Sequence, residues 1–226
     1  MSTTNNNQNI TDDKNNLEME FNKNGRLLGL KSKTTGDIII KLDYDNQNNF
    51  CEGFASFESK DKDNFLYYGF VHLSKKYEIS PIYHTVRDFS EGFAFVRIGN
   101  KIGFIRPNGS YLVELIYDDG DSFSEGLAPV KDGNNYAFIN TNGEIVIPFE
   151  YDYARRFCNG YARVKVGNKY GFIRKDGSFL MKPKYGEACD FCNGYACIET
   201  SDKIRSVKVG RIDTNGNEYW DNEYYN

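Results

Sequence analysis

Two histidines and one tryptophan in 226 residues leave little material for a histidine-based metal or catalytic site. Positive charge is not in excess either. Lys and Arg number 28 against 32 Asp and Glu, so the net charge of −4 supplies no general attraction to nucleic acid or an anionic membrane. No apolar run approaches the ~20 residues a transmembrane helix needs. Residues 1–16 have neither the basic nor the apolar region of a secretory signal, which points to a cytoplasmic protein without membrane insertion. They are Asn-rich and poor in apolar residues, and are expected to form a disordered tail. The 5 cysteines, an odd number at uneven spacing, do not read as a disulfide framework and suit a reducing compartment. In place of these features stand 17 Tyr, 17 Phe and 21 Gly, a composition of short strands joined by tight turns.

A motif Phe-x-[Glu/Asn]-Gly-[aromatic/Leu]-Ala begins at Phe50, Phe89, Phe123, Phe157 and Phe191. The last four are spaced by 34 residues, and the first gap carries five more. Fourteen residues after the Phe come Gly103-Phe104-Ile105, Ala137-Phe138-Ile139 and Gly171-Phe172-Ile173. In the Phe50 and Phe191 copies the matching strings, Gly69-Phe70-Val71 and Gly210-Arg211-Ile212, lie five residues later, so both copies hold an insertion in the same hairpin. A turn glycine follows at Gly109, Gly143, Gly177 and Gly216, then a tyrosine at Tyr117, Tyr151, Tyr185 and Tyr224. Gly29, Gly36 and Tyr44 repeat the end of this scheme. The chain therefore reads as six copies in a single repeat domain over residues 17–226, the first copy degenerate.

Helical repeats share this period but would suffer about 1 kcal/mol for each interior glycine. The local pattern has period two: Ala162, Val164 and Val166 alternate with Arg163 and Lys165, as Ala94, Val96 and Ile98 alternate with Phe95 and Arg97. Asn142-Gly143 and Asp176-Gly177 are hairpin turn pairs. Each copy is expected to be a three-stranded antiparallel meander, with the segment from Tyr to Phe carrying the chain onward.

The string Phe157-x-Asn-Gly-Tyr-Ala-x-Val, then Lys169-Tyr170-Gly171-Phe172-Ile173, Gly177 and Pro-Lys-Tyr185, resembles the WG-containing repeat family. The signature Trp of that family is replaced by Tyr68, Ile102, Tyr136 and Tyr170. The resemblance implies a β-rich repeat array that serves as an interaction module without enzymatic activity. Thirty-four residues suit three strands better than a propeller blade of about 40 or more residues. The expected fold is thus an all-β open, solenoid-like array, with a six-bladed propeller as the alternative.

Cys189-x-x-Cys192 with Cys197 has the outline of a metal or redox site, yet Cys192 occupies the slot of Cys51, Ser90, Ser124 and Cys158. A structural role is the expectation, with neither metal nor cofactor. Glu52, Glu91 and Glu125 share a slot with Asn159 and Asn193, and Asp45, Asp118 and Asp152 follow the slot tyrosine. Carboxylates used once per copy are expected to accept turn N–H groups rather than to act as acid and base. Beside the repeat Ala lie Phe95, Pro129 and Arg163, and on the same strand face Arg97, Lys131 and Lys165, flanked by Glu58 and Glu199 in the outer copies. Phe95, Arg97, Lys131, Tyr161, Arg163 and Lys165 are therefore the candidate binding residues. The expected function is a non-catalytic scaffold that binds a protein or peptide partner. An enzyme with a groove site, such as a carbohydrate-processing one, and a self-associating structural protein are the alternatives.

Overall fold

The [Glu/Asn]-Gly pair of each motif takes positive φ at both positions, 56° and 89° at Glu125-Gly126 and 52° and 86° at Asn159-Gly160. These are type I′ turns, whose twist matches that of the strands they join. The flanking residues exchange both backbone hydrogen bonds, Cys158 N–H to Tyr161 O at 2.8 Å and Tyr161 N–H to Cys158 O at 3.2 Å. The computed structural model describes residues 17–21, 27–36, 38–41, 50–72, 74, 78–201, 206–221 and 224–225. The expected tail at 1–16, Tyr44 and Asp45 lie outside the described residues. Among the described residues there are 23 strands and no helix.

The chain divides into two compact units, Met1–Pro81 and Ile82–Asn226. In the first, β1 (Leu17–Phe21), β2 (Leu27–Ser32) and β3 (Ile38–Lys41) form one antiparallel sheet. A second contains β4 (Phe54–Lys60), β5 (Leu66–His72) and β6 (Glu78–Tyr83), with the unit boundary falling inside β6. The insertion of the Phe50 copy lengthens the β4–β5 hairpin, which pairs from Phe54↔His72 to Lys60↔Leu66. Asp61 closes it by accepting the Asp63 and Phe65 N–H groups at 2.9 Å each.

The second unit holds four sheets in tandem. The first has β7 (Thr85–Val86), β8 (Ala94–Ile98), β9 (Lys101–Ile105) and β10 (Tyr111–Tyr117) in chain order. The next has β11 (Asp119–Gly120), β12 (Leu127–Asp132), β13 (Asn135–Asn140) and β14 (Ile145–Tyr151). The third has β15 (Tyr153–Ala154), β16 (Tyr161–Val166), β17 (Lys169–Arg174) and β18 (Phe179–Tyr185). The last has β19 (Glu187–Ala188), β20 (Tyr195–Ser201), β21 (Ser206–Asp213) and β22 (Glu218–Trp220), with β23 (Tyr224–Tyr225) pairing β21 beyond β22. The all-β tandem architecture expected from the period is therefore present, and among the described residues no sheet closes into a barrel. The three expected strands per copy gain a fourth in this unit. The Tyr-to-Phe connection is itself a two-residue edge strand paired to the strand that follows it, as in Tyr153↔Lys165 and Ala154↔Val164.

Both faces of the two middle sheets, β11–β14 and β15–β18, are covered. Phe95, Ile102, Phe104, Val113 and Tyr117 of one sheet pack on Phe123, Ala128, Val130, Ala137 and Ile139 of the next. The pattern returns one copy later, where Tyr136, Phe138, Ile147 and Tyr151 meet Ala162, Val164 and Ile173. Small Ala and Val on one face thus accept large rings from its neighbour. The motif phenylalanine closes each seam: the Phe123 ring lies 5.1 Å from Phe104 and 4.9 Å from Phe93. Burying one such ring contributes about 1.5–3 kcal/mol. Phe95 and Arg97, expected as binding residues, lie on a face that is instead a seam, and only its margin is open.

Hydrogen bonds set the stacking register. Glu91 accepts the Gly126 N–H at 2.8 Å, Glu125 accepts the Gly160 N–H at 3.0 and 3.1 Å, and Asn159 accepts the Gly194 N–H at 3.1 Å. Ser90 and Ser124 donate to the Phe123 and Phe157 carbonyls at 2.9 and 2.7 Å. The carboxylates do accept turn N–H groups, as their recurrence suggested, but from the following copy. Asp118 and Asp152 instead serve their own copy, accepting Gly133 and Gly167 N–H at 2.8 and 2.5 Å.

Candidate functional site

Cross-strand register brings the basic slot beside aromatic rings. Lys131 lies between Asp119 and Tyr136, and Lys165 between Tyr153 and Tyr170. Directly opposed side chains on one sheet face touch. The Lys131 ammonium accordingly sits 5.6 Å from the Tyr136 ring centre, and that of Lys165 5.1 Å from Tyr170. Arg163 stands over Tyr153 at 5.8 Å and Tyr170 at 5.4 Å. Tyr153 bridges the copies, 5.9 Å from Tyr136 and 6.4 Å from Tyr170. Lys131, Tyr136, Tyr153, Arg163, Tyr170 and Lys165 thus form one cation–aromatic ladder along two sheets. Each exposed cation–ring contact contributes about 0.5–1 kcal/mol.

The other candidates fall elsewhere. Phe95 is only 2% exposed, a seam residue covered by the Arg87 and Arg97 guanidinium groups at 4.7 and 5.9 Å. It is therefore a packing residue in place of the expected surface contact. Arg97 faces Ile102, which offers no ring, and ion-pairs with Asp119 of the next sheet at 2.9 Å. Asp119 also accepts the Tyr136 hydroxyl at 3.1 Å. Burial first, then Asp119, pushes the Tyr136 pKa well up and keeps that hydroxyl a neutral donor. Tyr161 is tied inward, its hydroxyl donating to the Thr214 carbonyl at 2.7 Å and its ring 4.8 Å from Phe191. The structure therefore brings Lys131, Arg163 and Lys165 together and leaves Phe95, Arg97 and Tyr161 as fold contacts.

Arg163 is 17% exposed and held in place, its Nε 3.1 Å from Asp190 and its Nη1 donating to the Ala188 carbonyl. It ends a chain of alternating charge that the sequence reading missed. Asp121 pairs with Arg87 and, at 3.4 Å, with Arg155, which reaches Asp190 at 3.6 Å. The available signal was one slot, two residues before the motif Phe, that reads Arg87, Asp121, Arg155 at the repeat spacing. Among the described residues no group of three or more His, Cys, Asp and Glu is placed to hold a metal ion. No described helix is long and apolar enough to cross a membrane.

Tandem antiparallel sheets with a once-per-copy register ladder define a β-repeat protein. The model of the WG-containing repeat matches residues 68–101, 102–136, 136–170 and 170–203, and the chain belongs to this family. Each match starts at the slot of Tyr68, Ile102, Tyr136 or Tyr170, of which Ile102 is fully buried and Tyr136 nearly so. No curated protein matches the chain. Among solved structures, one from Bacteroides uniformis, described as that of a candidate 6-phosphogluconolactonase, is 10% identical with a TM-score of 0.41, covering 92% of this chain and 82% of that one.

Proposed function

We propose that this chain is a non-catalytic repeat scaffold whose ladder of Lys131, Arg163 and Lys165 on Tyr136, Tyr153 and Tyr170 holds an acidic segment of a protein partner. The observation that carries the reading is the continuity of the ladder. Three cations and three rings from two copies share one seam margin, each cation or ring 5.1 to 6.4 Å from its neighbour in the ladder. Fixed, partly dehydrated cations beside rings suit an extended chain bearing carboxylates, since the rings take the apolar stems and the cations the charges. A non-catalytic role is supported by the use of the recurring carboxylates. Glu91 and Glu125 are committed to neighbouring Gly N–H groups, and Asp118 and Asp152 to turns of their own copy. Five cysteines outside any disulfide support a cytoplasmic setting.

Fluorescence anisotropy with a labelled Asp/Glu-rich peptide, against its Asn/Gln counterpart, tests the reading. The acidic peptide should bind more tightly, and increasingly so as salt is lowered. Lys131→Glu with Lys165→Glu should weaken it about tenfold or more. Stability should change little, because exposed charges contribute about 0–1 kcal/mol. Equal binding of the two peptides, or indifference to the double change, would refute the acidic-segment reading.

A further inference from the structure

Cys189 and Cys197 are not neighbours in sequence, yet they face each other across the edge of the last sheet. The Cys189 N–H donates to the Cys197 carbonyl at 2.9 Å, continuing the register Glu187↔Glu199, Ala188↔Ile198. Residues opposed in this way have Cα atoms about 5.5 Å apart, inside the range that a disulfide spans. The same pair of slots is filled by Arg87 and Phe95, Asp121 and Pro129, and Arg155 and Arg163, each with the same backbone bond at 3.0 to 3.1 Å. In the first of these the side chains meet, with the guanidinium over the ring at 4.7 Å. Thiols at these positions are thus aimed at each other, and both cysteines are exposed. Cys192, which completes the Cys-x-x-Cys spacing with Cys189, lies instead in the motif turn, bonded through its backbone to Tyr195.

From this placement we infer that Cys189 and Cys197 form a dithiol modification site, closed to a cross-strand disulfide by exchange with a low-molecular-weight disulfide such as oxidised glutathione. The chemistry is independent of the acidic-segment reading. One protein thiol loses its proton, and its thiolate attacks a sulfur of the small disulfide, expelling one small thiolate and leaving a mixed disulfide. The second protein thiol, deprotonated in turn, attacks the protein sulfur of that mixed disulfide and expels the other small thiolate. The two expelled thiolates take up the two protons. Both cysteines are oxidised, and one small disulfide is reduced to two thiols. Partial desolvation raises the Cys189 pKa, and the nearby Cys197 thiol raises it further, against the pull of Arg163. Exchange should therefore accelerate as pH rises above neutral, where more thiolate forms.

The full chain, incubated folded with oxidised glutathione at mildly alkaline pH and then acid-quenched, supplies the test. In Cys192→Ser, which retains four cysteines, thiols titrated after denaturation should fall from four to two. The mass should drop by two hydrogens, with the bond mapped to Cys189–Cys197 after cleavage between them. In Cys189→Ser and in Cys197→Ser the surviving partner should keep one glutathione, with no bond closing at this site. Reduction by a dithiol should restore the starting mass. Stable glutathione adducts on both Cys189 and Cys197 of the wild-type chain would overturn the inference. So would a two-hydrogen loss mapped to another pair with both of these thiols free, or closure that persists in Cys189→Ser.

Discussion

The sheet β11–β14 and the sheet β15–β18 have the same strand order and matching register, Ala128↔Ile139 in one and Ala162↔Ile173 in the other. One interior slot at which they differ holds Ala137 in the first and Gly171 in the second. A Cβ added at Gly171 would lie 2.6 Å from the Met181 carbonyl oxygen and 2.7 Å from the Pro183 nitrogen, as one at Gly103 would lie 2.5 Å from the Val113 oxygen. Ala137 carries that carbon fully buried, opposite the same kind of register shift between Tyr136↔Tyr151 and Phe138↔Ile147. The lesson is that the shift, not the glycine, belongs to the fold. The shift can open enough for one methyl group, and where the glycine stands the third strand closes in on it.

The sharpest way to break this comparison is Gly171→Val beside Gly171→Ala. The branched side chain has no room against backbone atoms and should cost about 3 kcal/mol or more. Gly171→Ala should cost clearly less if the third strand can adopt the spacing found opposite Ala137. Denaturant unfolding reads both, and equal midpoints for the two variants would show that the sheets differ for some other reason. A smaller effect separates the sheets at their turns. Glu125 and Asn159 both sit at positive φ and both accept the next copy's Gly N–H, so Glu125→Asn should be nearly neutral. Glu125→Ala loses the acceptor while keeping the backbone conformation, and should cost about 1–2 kcal/mol. If the Ala and Asn variants melt together, the ladder contributes nothing to stability.

The smallest effect concerns acid. Lys101 donates to Asp118 at 2.8 Å, and with the Gly133 N–H it holds the Asp118 carboxyl below its usual value. A carboxylate whose folded pKa is lowered stabilises fully above its unfolded value, about 3.9, and the contribution fades as pH falls through the folded value. Asp118→Asn should therefore lower the melting temperature slightly at neutral pH and flatten its decline below about pH 4. An acid limb identical to that of the wild-type chain would show that the pair is only an exposed contact.

The period, the hairpin insertions and the turn glycines were legible in the sequence because each is a local signal repeated at fixed spacing. The fourth strand was not. Asp119-Gly120 and Tyr153-Ala154 are too short to show alternation, and only the strand that follows makes them extended. Alternation along Ala94 to Ile98 correctly separated two faces but could not say that both are covered. Ala94 and Val96 on one face and Phe95 and Phe104 on the other are all buried, and the two phenylalanines were the apolar residues that said so. The ladder was half legible. Lys131 and Lys165 came from one shared slot and Arg163 from the slot of Phe95 and Pro129 on the same strand face, whereas Tyr136, Tyr153 and Tyr170 joined them only through pairing across strands.

The bonds from Gly126 to Glu91, from Gly160 to Glu125 and from Gly194 to Asn159 all run the same way, each later copy donating to the one before. The stack therefore has a polarity. A chain growing from its N-terminus offers, in each finished type I′ turn, an acceptor already aimed at an amide not yet made. The next copy has only to close its own turn to find its place. Register is thereby passed forward one copy at a time, so a slip in stacking would have to begin by breaking a turn that is already formed.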